Sequence, residues 1–186
     1  MRKLVVFNRV TMDGYFTGVN GDLSWAHNAS KDAEWSAFVE DNATSGGLLL
    51  FGRITYEMMV AYWPTPAAKK DDPVVAQGIN NLPKVVFSRT LDKASWNNTK
   101  LVKGDVVAEI QRMKIETGKD MVILGSGSIV SQLTREGLID GYKIVVNPVV
   151  LGAGRTMFEG VKAKLALTKT RAFGNGNVLL CYLRTA

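Results

Sequence analysis

The chain is nearly devoid of metal-ligating and redox side chains: among 186 residues there is one cysteine, Cys181, and one histidine, His27. A Cys/His zinc site takes about four such ligands, so that class is excluded and no metal is expected. Cys181 lies within the apolar run Val178-Leu179-Leu180-Cys181-Tyr182-Leu183. A buried strand thiol is the plain reading; a Cys-His nucleophile pair is the formal alternative. Long apolar runs are also missing. None approaches the roughly 20 residues of a membrane span. Met1-Arg2-Lys3-Leu4-Val5-Val6-Phe7-Asn8 has a basic start but too short an apolar core for a signal peptide. It reads as a first strand, and the expected location is the cytoplasm.

Repeats, linkers and low-complexity tracts are absent. With 46% hydrophobic and 22% charged residues the composition is that of a globular protein, which excludes disorder. A chain of this length buries about 70% of its unfolded surface and needs no disulfide or metal staple. A single domain over residues 1–186 is expected. The net charge of +6 comes from scattered residues. Lys69-Lys70 is followed at once by Asp71-Asp72, and no stripe of basic residues interleaved with aromatics occurs. Nucleic acid is therefore not the expected partner. A mildly basic surface suits anionic small molecules.

Strand and helix signals alternate. Lys3–Val10 reads as a strand, and Asp13-Gly14 and Asn20-Gly21 punctuate a loop up to Asn28. Helical spacing of Trp35, Phe38 and Val39 predicts a helix over 32–43, ended by Gly46-Gly47. Leu48-Leu49-Leu50-Phe51, Lys84–Ser88 and Met121–Leu124 are short apolar runs, as expected of strands covered on both faces. Helices are expected over 55–62, after Asp72-Pro73, over 105–117 and over 129–135. Beyond Tyr142–Val146, the segments Leu165–Phe173 and Val178–Arg184 flank Gly174-Asn175-Gly176-Asn177, a hairpin signal. The expected fold class is α/β: a mostly parallel central sheet flanked by helices, with an antiparallel C-terminal hairpin.

Ligands of open α/β sheets bind beyond the carboxyl ends of the strands. Three segments read as buried strands turning directly into helices: Phe51-Gly52-Arg53-Ile54-Thr55, Phe87-Ser88-Arg89-Thr90 and Leu124-Gly125-Ser126-Gly127-Ser128. Helix N-termini attract anions, glycine admits close approach, and arginine adds bidentate phosphate contacts. Three such turns point to a polyanion such as a dinucleotide. Gly125-x-Gly127 lacks the third glycine of the Rossmann fingerprint, and there is no Walker A Gly-Lys-Ser/Thr.

Taken in order, these segments carry a family resemblance. Phe51-Gly52-Arg53-x-Thr55-Tyr56-Glu57 resembles the cofactor motif of the dihydrofolate reductase superfamily. Leu124-Gly125-Ser126-Gly127-Ser128, then Leu133 and Gly137-Leu138-Ile139-Asp140, is similar to the reductase domain of the riboflavin-biosynthesis deaminase/reductase. So are Asn147-Pro148-Val149-Val150-Leu151-Gly152-Ala153-Gly154-Arg155-Thr156-Met157-Phe158 and Thr11-Met12-Asp13-Gly14-Tyr15. The resemblance covers almost the whole chain and implies a stand-alone, commonly dimeric reductase with the three-layer dihydrofolate-reductase-like fold. It implies NADPH as cofactor. By position, Gly52, Arg53 and Thr55 would hold phosphates, Ser88 and Arg89 would flank the adenosine 2′-phosphate, and Gly125, Ser126, Gly127, Ser128 and Ile129 would cradle the pyrophosphate and nicotinamide side. Two arginines near the adenosine end favour NADPH over NADH.

One departure stands out. The superfamily has Gly-Gly, joined by a cis peptide in dihydrofolate reductases, where this chain has Gly125-Ser126. A cis bond there would cost about 2.5–4 kcal/mol, so either it persists or the turn is built differently.

Dihydrofolate reductases carry a helix carboxylate four residues before a phenylalanine, and Glu34 precedes Phe38 by four. That spacing puts both on one helix face, and a carboxylate in an apolar pocket can orient or protonate a ring. The plain alternative for Glu34 is a first-turn acid favoured by the helix dipole. Asp13, after the first strand, is the rival catalytic candidate; its plain alternative is an Asp-Gly turn residue. Thr11, Trp25 and Phe38 complete the expected substrate side. Met58, Met59 and Tyr62 read as core packing rather than pocket lining, and His27 as a loop residue. The expected function is NADPH-dependent hydride transfer to a C=N or C=O of a small pterin-, flavin- or ribosylamino-pyrimidine-like heterocycle. The alternative is a nucleotide- or pterin/flavin-binding protein of the same fold without efficient catalysis. Gly14, Gly18 and Gly21 would let the loop over 14–28 move as a lid.

Overall fold

Short all-apolar runs make the middle of the sheet, because a strand covered on both faces has no solvent side for polar residues. The computed structural model describes residues 1–26 and 32–185. His27 and the end of the loop expected to reach Asn28 lie outside the described residues. In chain order the elements are β1 (Leu4–Thr11), β2 (Tyr15–Thr17), α1 (Ala33–Thr44), β3 (Leu48–Gly52), α2 (Arg53–Tyr62), α3 (Pro66–Asp71) and α4 (Pro73–Asn81). Then follow β4 (Lys84–Phe87), β5 (Thr99–Val102), α5 (Val106–Ile115), β6 (Met121–Leu124), α6 (Gly127–Arg135), β7 (Gly141–Asn147), β8 (Arg155–Thr156), β9 (Leu165–Ala172) and β10 (Val178–Arg184).

Eight strands form one sheet in the order β5-β4-β3-β6-β1-β7-β10-β9, and β2 and β8 make a separate two-stranded ribbon. The pairings from β5 through β7 are parallel. β10 is antiparallel to both β7 and β9. This is the expected α/β sheet with its terminal hairpin. β6 is inserted between β3 and β1, so the chain reverses its lateral course at that point. The carboxyl ends of β3, β6 and β1 therefore form the crevice where open α/β sheets bind ligands.

Alternation along the strands sorts the core into two layers. Leu4, Val6, Leu50 and Ile123 pack under α5 and α6 with Ile110, Met113, Val130 and Leu133. Leu49, Phe51 and Val86 pack under α1, α2 and α4 with Ala43, Tyr56, Val75 and Ile79. Fully burying such side chains is worth about 1.5–3 kcal/mol each. Asp32 caps α1 by accepting the N–H of Trp35 at 2.9 Å, and its other oxygen accepts the N–H of Asn175 at 2.8 Å. One carboxylate thus ties the start of α1 to the hairpin turn. Among the described residues no helix is long and apolar enough to cross a membrane.

Three local expectations need correction. α2 begins at Arg53 and α6 at Gly127, each two residues earlier than the spacing indicates. The segment after Phe87 is not a helix: the Ser88 hydroxyl accepts the N–H groups of Thr90 and Leu91 at 3.2 and 2.9 Å. This side-chain turn competes with helix formation. Only two strand-to-helix turns remain. Finally, α3, β5 and the β2–β8 ribbon have no counterpart in the sequence reading. β5 (Thr-Lys-Leu-Val) lacks a continuous apolar run because it lies at the sheet edge.

Candidate functional site

α2 follows β3 and α6 follows β6, on opposite faces of two neighbouring strands. Their N-termini consequently meet at the carboxyl edge of the sheet. Neither is capped by a side chain: Gly52 has none to offer, and the Ser126 hydroxyl points elsewhere. It accepts the Gly52 N–H at 2.6 Å and bonds Thr55 Oγ1 at 3.1 Å, while the Ser126 N–H donates to Thr55 Oγ1 at 3.0 Å. These bonds lock the two helix starts together and leave their first-turn N–H groups without side-chain caps. Uncapped N–H groups and two helix dipoles make an electropositive, backbone-lined crevice.

The turn between β6 and α6 rests on two consecutive left-handed residues, Gly125 (φ +63°) and Ser126 (φ +57°). Among the described residues there is no cis peptide bond, so the turn is built differently from the cis alternative. A Cβ on Gly125 would lie 2.6 Å from Thr55 Oγ1. Left-handed backbone is costly for serine. The three contacts of Ser126 with Gly52 and Thr55 hold it there. Asn8 braces the same turn from β1: its Oδ1 accepts the Gly125 N–H at 2.6 Å and its Nδ2 donates to the Gly125 carbonyl at 3.1 Å. Asn8 is 4% exposed. Sequence reasoning missed it, although a lone amide in the apolar stretch Leu4–Phe7 and Val10 is a visible signal.

A broad open hollow, or groove, extends from this crevice along the α1–α2 side and on to Gly47, Lys119 and Asp120 at the amino edge of the sheet. Gly52, Arg53, Thr55, Gly125, Ser126, Gly127, Ser128 and Ile129 line it, as do Ser88 and Arg89 further along the sheet edge. Direct contacts join Gly52, Thr55, Gly125 and Ser126, while Ser88 and Arg89 follow β4, the neighbour of β3 in the sheet. Arg53 and Arg89 are exposed. Among the described residues Arg53 has only a long 3.9 Å pairing with Glu57, worth little in solvent, which leaves its guanidinium open to an anion. The lining also includes Trp25, Trp35 and Val39, with Met58, Met59 and Tyr62 from α2, and Phe16, which sits against Gly127. These α2 side chains line the groove, and Met59 also packs against the core.

The two carboxylates singled out from sequence are placed differently. Glu34 is not in the groove lining; it faces Arg171 of β9 at 3.2 Å, with its side chain 69% exposed. Phe38 joins Phe7, Trp35 and Phe173 in an aromatic cluster, with centroids 5.9, 5.6 and 5.2 Å away. The groove-facing stripe of α1 is Trp35, Ser36, Val39 and Glu40 instead. Asp13 accepts hydrogen bonds from Thr11 Oγ1 at 2.6 Å and from the N–H groups of Gly152 and Leu151 at 2.8 and 3.1 Å. These donors hold its pKa below the usual carboxylate value, the Thr11 hydroxyl contributing most. Buried Thr11 also accepts the Tyr15 N–H at 2.9 Å. Asp13 and Thr11 therefore clamp the 151–152 loop, and neither lines the groove. Trp25 does line it, anchored by its indole N–H on the Asp22 carbonyl at 3.2 Å.

Arg9, which the sequence reading passed over, also lines the groove. Alternation along β1 brings it to the α1 face, over the Trp35 ring at 4.9 Å.

A family model described as the RibD C-terminal domain matches residues 2–179. Two proteins of Bacillus subtilis (strain 168), uncharacterized proteins YyaP and YwjB, are each 28% identical over 187 residues. The first alignment covers 97% of this chain and 94% of YyaP, the second 98% of each. Among solved structures, a putative riboflavin biosynthesis protein from Shewanella sp. PV-4 is similar with a TM-score of 0.73 and 22% identity, over 99% of both chains. Dihydrofolate reductase from Enterococcus faecalis, complexed with NADP(H) and RAB-propyl, gives 0.67 and 17%, over 99% of this chain and 97% of that one. At such identities the structural likeness establishes the fold, which is dihydrofolate-reductase-like.

Proposed function

Because this chain belongs to the RibD C-terminal domain family, we propose that it is an NADPH-dependent reductase acting on a C=N or C=O bond of a small heterocycle. Pterin-, flavin- and ribosylamino-pyrimidine-like rings are the substrate class. The observation that carries this reading is the pair of uncapped helix starts joined through Gly52, Thr55 and Ser126. A Cβ at Gly125 would drive Thr55 out of that junction, so glycine there lets the two helix starts pack together. These features fit a dinucleotide's phosphates. When bound, NADPH supplies the hydride from its nicotinamide.

The chain's own residues bind, orient and shield. The amides at the starts of α2 and α6 bind phosphate oxygens, and Arg53 adds charge. Ser88 and Arg89 flank the adenosine 2′-phosphate. Trp25, Trp35, Val39, Met58 and Met59 exclude water along the ring-binding wall. With Glu34 and Asp13 engaged elsewhere, the proton comes from solvent or from Glu40, the α1 carboxylate that lines the groove. That same displacement of Glu34 and Asp13 favours a second reading: a protein that binds NADPH and a pterin or flavin without efficient turnover.

Arg89→Ala tests the cofactor assignment. Loss of one charge-assisted phosphate contact, worth about 1.5–3 kcal/mol, raises the Kd for NADPH at least about tenfold and leaves NADH unchanged. Equal affinity for both nucleotides in the wild type, or no effect of the substitution, overturns it. NADPH oxidation with dihydropterins, flavins and ribosylamino-pyrimidines separates the two readings. Turnover supports the reductase; saturable binding with no turnover supports the binding protein.

The reading includes a homodimer. The outer strand β9 is exposed along nearly all its length and bears a bare Leu167. An unpaired strand edge of this kind is a pairing surface. Light scattering is expected to give twice the chain mass, falling to one chain with Leu167→Glu. A wild type that is monomeric at micromolar concentration contradicts this part.

A further inference from the structure

We propose that Arg9 forms an anion-recognising subsite on the α1 side of the groove, reading an anionic oxygen group, a carboxylate or a phosphate, carried by a planar ring. The subsite rests on the reductase reading for the groove's role, and its test is separable from that reading.

Arg9 stands near the carboxyl end of β1, a central strand of the sheet. It shares the lining with Phe7, Trp25 and Val39, and touches Ala26 and Trp35. Desolvation by these surroundings lowers its pKa, yet a guanidinium keeps its charge in proteins. Arg9 has no ion pair among the described residues. Among those residues its polar contacts are one N–H donated to the Ala26 carbonyl and the cation–π stack on Trp35. Buried Lys84 also has no acidic partner among them, but three carbonyls take its three N–H donors.

A guanidinium has five N–H donors in a rigid planar fork. The Ala26 carbonyl takes one of them and, together with the Trp35 ring, fixes the plane. Among the described residues the remaining donors have no acceptor, and the guanidinium lies over the Trp35 indole. Flat aromatic walls suit a planar ring, and a fixed fork suits a carboxylate or phosphate on its edge. A bound anion would pair with these donors and supply a counter-charge. Arg9 is therefore a specificity-determining residue at the substrate end. Arg53 and Arg89 serve the other end of the groove.

Isothermal titration of the full chain, with and without saturating NADP+, uses two probe pairs: pterin-6-carboxylate against pterin, and FMN against riboflavin. At least one anionic ring is expected to bind tenfold or more tightly than its neutral counterpart. The pair that shows the preference tells carboxylate from phosphate. Arg9→Met is expected to erase the preference while leaving neutral-ring binding and NADP+ affinity unchanged. Arg9→Gln, which keeps a donor for Ala26 without the charge, gives the same readout where Arg9→Met does not fold. The subsite is overturned if no ring binds, if neither anionic ring is preferred, or if the preference survives both substitutions. Failure to bind NADP+ alongside an intact Arg9-dependent preference overturns the reductase reading and leaves the subsite standing.

Discussion

Gly125→Ala is expected to lose both stability and NADPH binding. Its φ of +63° costs a residue with a Cβ about 1–2 kcal/mol, and the new methyl would sit 2.6 Å from Thr55 Oγ1. Overpacking of this kind adds about 1–3 kcal/mol. The sum lowers Tm by roughly 5–15 °C in a chain of this size. Displacing Thr55 also breaks its bonds to Ser126, so the two helix starts lose their register and NADPH affinity falls more than about tenfold. Gly152→Ala is the matched control. It has the same left-handed backbone, φ +71°, but open space around the would-be Cβ. It should show the smaller strain cost alone and unchanged NADPH binding. Equal effects of the two substitutions would mean that the close approach at Gly125 is unimportant.

Lys84→Met is the second large effect. Lys84 is 1% exposed, at the start of β4. Its ammonium donates to the carbonyls of Leu82, Asn80 and Asn97 at 2.7, 2.9 and 3.3 Å, and lies 4.6 Å from the centre of the Trp96 ring. The first two carbonyls belong to the end of α4, so Lys84 acts as its C-terminal cap. Methionine fills the volume but takes this donor from the Leu82 and Asn80 carbonyls, at about 1–3 kcal/mol for each buried group, while the Asn97 carbonyl keeps the Thr99 hydroxyl at 3.3 Å. Relief of the desolvated charge offsets part of that, giving a net loss of about 2 kcal/mol at pH 7, read by urea titration.

The pH dependence identifies the charge. Burial pushes the Lys84 pKa from 10.5 down to about 8. Between those values the unfolded chain binds more protons than the folded one, so this group makes stability rise with pH from about 8 to 10.5. Below pH 8 Lys84 is protonated in both states and contributes no slope. Lys84→Met should abolish this rise. A wild-type profile that is flat or falling across that window, with the variant parallel to it, would contradict the assignment.

The strands and most helices were legible because their signals are local. Leu48–Phe51 and Met121–Leu124 are unbroken apolar runs, and Asp105 with Gly118 brackets a helix. The crevice was legible for the same reason: glycine and hydroxyl residues at a strand end mark a helix start whatever packs around it. The rotation of α1 about its axis was not. Glu34 and Phe38 share a face by spacing, but so do Trp35, Val39 and Ala43, and packing of this second stripe decides what turns inward. That leaves Glu34 beside Arg171 and turns Ser36 and Glu40 to the groove. Arg9 was hidden because its role depends on which strand face meets α1. Asp13 showed its Asp-Gly turn but not its partners, which lie 138 and 139 residues away in sequence.

The central claim is that the N-termini of α2 and α6 jointly hold the phosphates of NADPH. Backbone amide NMR during an NADPH titration tests it directly. Saturable shifts should be largest at Ile54, Thr55, Gly127, Ser128 and Ile129, with Arg89 Nε following at the far end of the groove. The hairpin turn over 173–177 should stay still. Absence of shifts at millimolar NADPH, or saturable shifts confined to residues outside these two helix starts, would contradict the account.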